Sequence, residues 1–255
     1  MTDSPAAALP PIYVISLARA ASRRADITAR LNAAGVRYEL TDAVDYKKLD
    51  YDNLPVRIRQ EVHLKNYQVE IAPGTIGCVM SHMNLWRRIA AEQIPAAVIL
   101  EDDAVWDDDF WEVVGKLAAS AWDFDMVMLS HIGGSKKRRV LEQLTGNRQL
   151  VLHRRPGWMT AAYLIRLSGA NKLLPYCFDI TGGADALTRE NWRTGLRTYN
   201  VKPSPVTTPA EGTLSDPAPR PPLTPRQQRR RARMRLYRGF RRGLHYFLHP
   251  PRKRQ

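Results

Sequence analysis

Ala96-Ala97-Val98-Ile99-Leu100-Glu101-Asp102-Asp103 sets five uncharged apolar residues against three consecutive carboxylates. The apolar run is short and rich in β-branched residues, so it reads as a buried strand. Three acids at its exit repel one another unless something positive lies between them. Side chains two apart on a strand share a face, which lets Glu101 and Asp103 converge on one point. A hard divalent cation with oxygen ligands would relieve the repulsion. The alternative is a strand that ends in a solvated acidic turn.

Upstream, Ile76, Val79, Met80, Met83 and Trp86 recur at helical spacing, with Thr75 as the expected N-cap and Pro95 as the break after the helix. Ile12 to Leu17 reads as a first strand. A helix capped near Ser22 follows it and carries Ile27 and Leu31, and Tyr38 to Thr41 is a second strand candidate. Asp45 to Ile71 is polar and irregular. Downstream, Asp107-Asp108-Asp109 is expected to cap a helix bearing Phe110, Val113, Val114 and Leu117. Asp125 to Leu129 and Ala161 to Ile165 are further strands, and Ser168 to Leu174 is a short helix stopped by Pro175. Strands alternating with helices imply an α/β fold, a mostly parallel sheet flanked by helices. Ligands of such sheets bind beyond the carboxyl ends of strands, where Glu101-Asp102-Asp103 falls.

At 255 residues, 44% apolar and 25% charged, the chain has the composition of a soluble globular protein rather than a disordered or membrane-spanning one. Met1 to Pro11 has neither a basic start nor an apolar core, so no secretory signal is expected. Cys78 and Cys177 are too few for a disulfide framework and read as reduced thiols of a cytoplasmic protein. The net charge of +14 is unevenly placed. Thirteen of the 39 basic residues, twelve of them Arg, lie in Arg220–Gln255 without a single acid, which leaves 26 basic against 25 acidic residues before it. Eight prolines between Pro203 and Pro225 read as linker. Beyond them Leu236, Tyr237, Phe240, Leu244, Phe247 and Leu248 recur among arginines, the pattern of a basic amphipathic helix. The expected organisation is a catalytic body over 12–216, a Pro-rich linker over 217–228 and a basic amphipathic tail over 229–255.

Several blocks follow in order: Val14-Ile15-Ser16-Leu17 with Arg23-Arg24; Gly77-Cys78-Val79-Met80-Ser81-His82 with Leu85-Trp86; Leu100-Glu101-Asp102-Asp103; Thr160-Ala161-Ala162-Tyr163-Leu164-Ile165 with Gly169-Ala170; and Asp185 with Leu187. Over Ile12 to Asp216 the chain resembles glycosyltransferase family 25, the lipooligosaccharide and lipopolysaccharide galactosyltransferases. The resemblance implies a GT-A-like nucleotide-sugar-binding fold. It also implies transfer of a sugar, usually galactose from UDP-galactose, to a saccharide hydroxyl, with inversion in members that make β-linkages. Ser16 stands where the family often has Asn, Thr75 where it often has an acid, and Ala186 where a second acid often follows Asp185.

That chemistry suits the residues. The donor leaves as a diphosphate, and a divalent ion held by carboxylates neutralises the charge that develops on it. Asp103 and Glu101 are the expected ligands of Mn²⁺ or Mg²⁺, with Glu101 or Asp102 also reaching the ribose. Asp185 follows the flexible turn Thr181-Gly182-Gly183 and is the candidate general base, or else a turn-capping Asp; Asp179 is its rival. Ser81 and His82 are candidates for sugar or phosphate contact, or else structural residues of their helix. Arg23 and Arg24 are candidates for the nucleotide phosphates, or else lie on a solvated face, and Asp45 for the nucleotide's surroundings. Trp158 and Tyr163 either stack on substrate or pack in the core. The six histidines, at 63, 82, 131, 153, 245 and 249, show no zinc spacing. The tail's apolar stripe favours an anionic membrane surface over nucleic acid, which needs phosphate contacts but no such stripe. Peripheral attachment to the inner face of the cytoplasmic membrane, beside a lipid-linked saccharide acceptor, is the resulting expectation. A nucleic-acid-binding protein acting through its Arg-rich tail is the alternative.

Overall fold

A computed structural model describes residues 9–67, 70–209 and 224–254. Strands β1 (Ile12–Ser16) and β2 (Glu39–Asp42) flank helix α1 (Ala21–Ala33). A two-residue strand β3 (Arg57–Ile58) and helix α2 (Gln60–Tyr67) lead to helix α3 (Pro73–Ala91) and strand β4 (Ala96–Glu101). After the short β5 (Val105–Trp106) come helix α4 (Phe110–Ala119) and strands β6 (Met126–Met128), β7 (Arg138–Gln143), β8 (Gln149–His153) and β9 (Ala162–Arg166). Helix α5 (Leu167–Leu173), strand β10 (Asp179–Ile180), helices α6 (Ala184–Arg189) and α7 (Asn191–Thr194), strands β11 (Thr198–Lys202) and β12 (Val206–Thr207) and helix α8 (Pro225–Leu248) complete the order.

Eight strands form one sheet in the order β2-β1-β4-β9-β6-β11-β8-β7. The pairs β1–β2, β1–β4 and β6–β11 are parallel. β9 inserts between β4 and β6 antiparallel to both, and β8 runs antiparallel to β11 and β7. The sheet is thus mixed, with the expected parallel pairing kept on the side where β1 and β4 end together. Both sheet faces are covered, as the unbroken burial of β1 requires. Tyr13 and Ile15 point into a core with Ile76, Val79, Met83 and Trp86 of α3. Ile12 and Val14 point into a second core with Ile27 and Leu31 of α1 and Phe110, Val113 and Leu117 of α4. The result is a three-layer α/β/α arrangement.

Several helix starts differ from expectation. α1 begins at Ala21 and α3 at Pro73, neither with a side-chain cap, so Ser22 and Thr75 lie inside first turns. The missing amide of Pro73 costs nothing there, because the first amides of a helix have no partner within it. Asp109 precedes α4 but does not cap it; Asp107 and Asp109 instead grip the guanidinium of Arg148. The proline-rich stretch does not begin as linker, since Val206–Thr207 pairs with Val105–Trp106. Of the expected linker, 217–223 lies outside the described residues, as do 210–216 of the body, and Pro225–Gln228 already belongs to α8.

α8 does not stand apart from the body. Tyr237 meets Trp192 edge-on at 5.9 Å, Arg238 lies 3.8 Å from Glu190, and Tyr246 packs under Arg139. Past the helix, Arg252 pairs with Asp123 at 2.8 Å. Among the described residues no helix is long and apolar enough to cross a membrane.

Candidate active site

A cleft of about 410 Å³ opens where β1 and β4 end. Glu101, Asp102 and Asp103 form one wall, α3 contributes Cys78, Ser81 and His82, and Arg23 of α1 reaches in from the side. The loop after β2 closes it through Val44 and Tyr46.

The Gly77–His82 block explains how α3 is set against that loop. A Cβ at Gly77 would stand 2.5 Å from the Val44 carbonyl oxygen, so only glycine permits the approach. One turn later the Ser81 hydroxyl accepts from the Val44 amide at 2.8 Å and donates to the Gly77 carbonyl at 2.7 Å. Ser81 therefore pins the loop. His82 is fully buried, with Nε2 3.2 Å from Glu101 Oε1 and Nδ1 2.9 Å from the Tyr163 hydroxyl. Trp86 Nε1 donates to that same hydroxyl at 2.9 Å. The directions follow: Trp86 donates to Tyr163, Tyr163 donates to His82 Nδ1, and His82 Nε2–H donates to Glu101. Tyr163 is thus neither a stacking platform nor mere filling; it orients the histidine.

The three carboxylates differ. β4 ends at Glu101, and the amide of Ala104 bonds back to the Glu101 carbonyl at 3.0 Å, so Asp102 and Asp103 lie in a turn rather than on a continuing strand. Glu101 Oε1 also accepts from Thr160 at 3.1 Å. Burial works against its ionisation, but His82, then Thr160 and Arg23, outweigh it and hold its pKa below the ordinary value. Asp102 is buried, accepts from Ser16 Oγ at 2.8 Å and lies 3.5 Å from Arg23. Asp103 is the exception. Its Oδ1 is buried without a hydrogen-bond partner, and burial followed by the charges of Glu101 and Asp102 pushes its pKa up to about 6. An oxygen left in that state fits a cation: the donor is a hard carboxylate, and bound positive charge would offset the cost of burying it and counter the repulsion from Glu101 and Asp102. A second donor set adjoins it: Cys78, His82 and Glu101 each offer one ligand atom, all within 4.8 Å of one another.

Asp185 sits in the first turn of α6, outside the cleft wall, and burial, with a smaller contribution from the charge of Glu101, raises its pKa. Asp179 pairs with Arg57 at 2.7 Å and with Arg59. Arg24 does not line the cleft; it donates to the Ser16 carbonyl and to Asp42, fastening α1 to the ends of β1 and β2. Asp45 caps the turn at Tyr46–Lys48, accepting from the Lys47 amide at 3.1 Å and from Arg19 at 2.8 Å. Trp158 is 37% exposed beneath the Arg189 guanidinium. Sequence reading missed Ser16, Thr160 and Cys78 as site residues. Ser16 and Thr160 are defined by partners 86 and 59 positions away, and Cys78 by His82 four positions on together with Glu101 of another element.

An acidic turn after β4, the adjacent end of parallel β1, a helix overhanging both and an open cleft at their carboxyl ends are the features of an α/β protein of GT-A-like fold. The chain belongs to glycosyltransferase family 25: the family's model, described as "Glycosyltransferase family 25 (LPS biosynthesis protein)", matches residues 9–188. A Drosophila melanogaster "Glycosyltransferase 25 family member" is 28% identical over 166 residues, which cover 64% of this chain and 27% of that protein. The Xenopus laevis "Procollagen galactosyltransferase 1-A" is 28% identical over 64% of this chain and 28% of its own length. The human "Inactive glycosyltransferase 25 family member 3" is 30% identical over the same shares. The matches thus span less than a third of the length of these curated relatives. One relative is named for galactosyl transfer and another as inactive, so membership alone does not decide activity; the cleft residues must. The family match ends within α6, leaving α8 outside it.

Proposed function

We propose that the chain is a metal-dependent glycosyltransferase that moves a sugar, galactose from UDP-galactose, onto a saccharide hydroxyl with inversion, in lipopolysaccharide or other envelope polysaccharide synthesis. The observation that carries this reading is the unpartnered Asp103 oxygen beside Glu101 and Asp102 in an open cleft. A divalent ion, Mn²⁺ or Mg²⁺, held there by Asp103 with Glu101 would supply positive charge to the departing diphosphate, whose oxygens complete the coordination.

The chain's own groups divide the remaining work. His82 and Thr160 fix Glu101 by one oxygen and leave the other for cation or ribose. Arg23, half exposed at the cleft edge, offers its guanidinium to phosphate once drawn from Asp102. Ser81 and Asp45 hold the loop that walls the nucleotide. Asp185 takes the proton from the acceptor hydroxyl, and its raised pKa suits a base. The acceptor is a saccharide on a lipid carrier, reached at the cytoplasmic face of an anionic membrane that α8 touches.

A panel of nucleotide sugars assayed for slow hydrolysis with Mn²⁺ or with EDTA tests the reading. One donor, UDP-galactose, should be hydrolysed with the metal and spared without it. Hydrolysis of no donor, or equal rates in EDTA, rejects it.

A further inference from the structure

Cys78 and His82 stand four residues apart on α3, so they share one face of the helix. Glu101 meets that face from the end of β4, and one ligand atom from each of the three lies within 4.8 Å of the others. The histidine spacings hide this group, because the i, i+4 partner is a cysteine and the third ligand comes from another element. Cys78 opens onto the cleft, which gives an ion a path of entry. The second shell is in place: the other ring nitrogen of His82 faces the Tyr163 hydroxyl at 2.9 Å, itself held by Trp86. Sulfur, imidazole and carboxylate together form a borderline-soft set that suits Zn²⁺, unlike the all-carboxylate pair of Asp103 and Glu101 proposed for the hard cation.

We propose that Cys78, His82 and Glu101 form a Zn²⁺ site overlapping the hard-cation site, and that zinc bound there inhibits the enzyme by withdrawing Glu101. The inhibition rests on the function proposed above; the binding does not. On binding, the Cys78 thiol gives its proton to solvent and the sulfur bonds the metal. His82 exchanges its Nε2 proton for one on Nδ1, which then donates to Tyr163, so one proton leaves per ion. The fourth position faces the cleft and takes water.

Co²⁺ serves as the probe. The full-length protein should bind one equivalent with a thiolate-to-cobalt charge-transfer band, which Zn²⁺ abolishes by displacement. Cys78→Ser should lose the band, while Cys177→Ser, whose thiol is buried against the Leu173 carbonyl, should keep it. Zinc titration of the unaltered protein should release one proton per ion. Absence of the band, its survival in Cys78→Ser, or no proton release overturns the site. In the Mn²⁺-supported hydrolysis assay, the zinc concentration giving half inhibition should rise at least tenfold in Cys78→Ser relative to that variant's own rate. A cobalt band without zinc inhibition overturns the competition. A cobalt band in a protein that hydrolyses no donor rejects the transferase reading and leaves the zinc site standing.

Discussion

Asp103 is held at a cost to the fold. Its ordinary pKa of 3.8 rises to about 6 in the folded protein, from burial and then from Glu101 and Asp102. Between those values the folded state keeps a proton that the unfolded state has lost. Its contribution to stability therefore falls as pH rises from about 3.8 to 6 and stays low above that. Asp103→Asn removes the repulsion without changing the shape. At pH 7.5 without metal it is expected to raise stability by on the order of 1 kcal/mol after solvent screening, while abolishing metal-dependent hydrolysis. Thermal scans and the hydrolysis assay check the two halves. Gly183 bears on the proposed base: its φ of −69° suits any residue, but an added Cβ would stand 2.7 Å from Asp185 Oδ1. Gly183→Ala should displace that carboxylate and lower kcat by roughly 10- to 100-fold with little change in Tm, as measured by steady-state kinetics. The acidic triplet was legible because it breaks an apolar run. The different fates of its members were not, since Ser16, His82 and Thr160 reach them from distant parts of the chain.

α3 and α8 show what periodicity reveals and hides. On α3 the apolar spacing gave the helix and its core face. The reason for Gly77 and Ser81 needed Val44, which approaches α3 only in the folded chain. On α8 the spacing gave an amphipathic helix but not that its other side docks on the body. Leu236, Phe240, Leu244 and Phe247 remain exposed, at 74%, 69%, 42% and 71%, while Gly243 is buried and Tyr246 half-buried against the body. Deleting the helix would therefore uncover the body as well as remove the stripe. Phe240→Ser with Phe247→Ser changes only the outward face. The pair is expected to weaken binding to vesicles containing phosphatidylserine by at least tenfold and to leave Tm within about 2 °C. Sedimentation with vesicles and with DNA, each across a salt series, reads this out. Unchanged vesicle binding, or a loss confined to DNA, counts against the membrane surface.

Across the whole molecule the α/β class was legible from alternating elements, and the mixed sheet was not. β11, Thr198-Tyr199-Asn200-Val201-Lys202, carries polar residues yet is buried through its first four positions, so it lacks the apolar signature of a central strand. What holds that side is partly ionic. Asp125, fully buried at the start of β6, accepts from Ser168 at 2.7 Å, from Lys172 at 2.6 Å and from the Arg197 amide at 2.7 Å. Burial opposes its ionisation, yet Lys172 and Arg197 together outweigh it and depress its pKa. This contribution is complete above the ordinary carboxylate value of 3.8 and is lost as pH falls through the lower folded value. Asp125→Ala should cost about 3–5 kcal/mol at pH 7, less in strong acid, by denaturant titration at both pH values. The same scaffold fixes β1 and β4 side by side and so the acidic cleft at their ends. Calorimetric titration of the purified chain with UDP, in Mn²⁺ and in EDTA, tests that cleft most directly. UDP should bind at least tenfold tighter with Mn²⁺, and Asp103→Asn should erase the difference. Equal affinity in the two buffers, or no binding in either, would contradict the account.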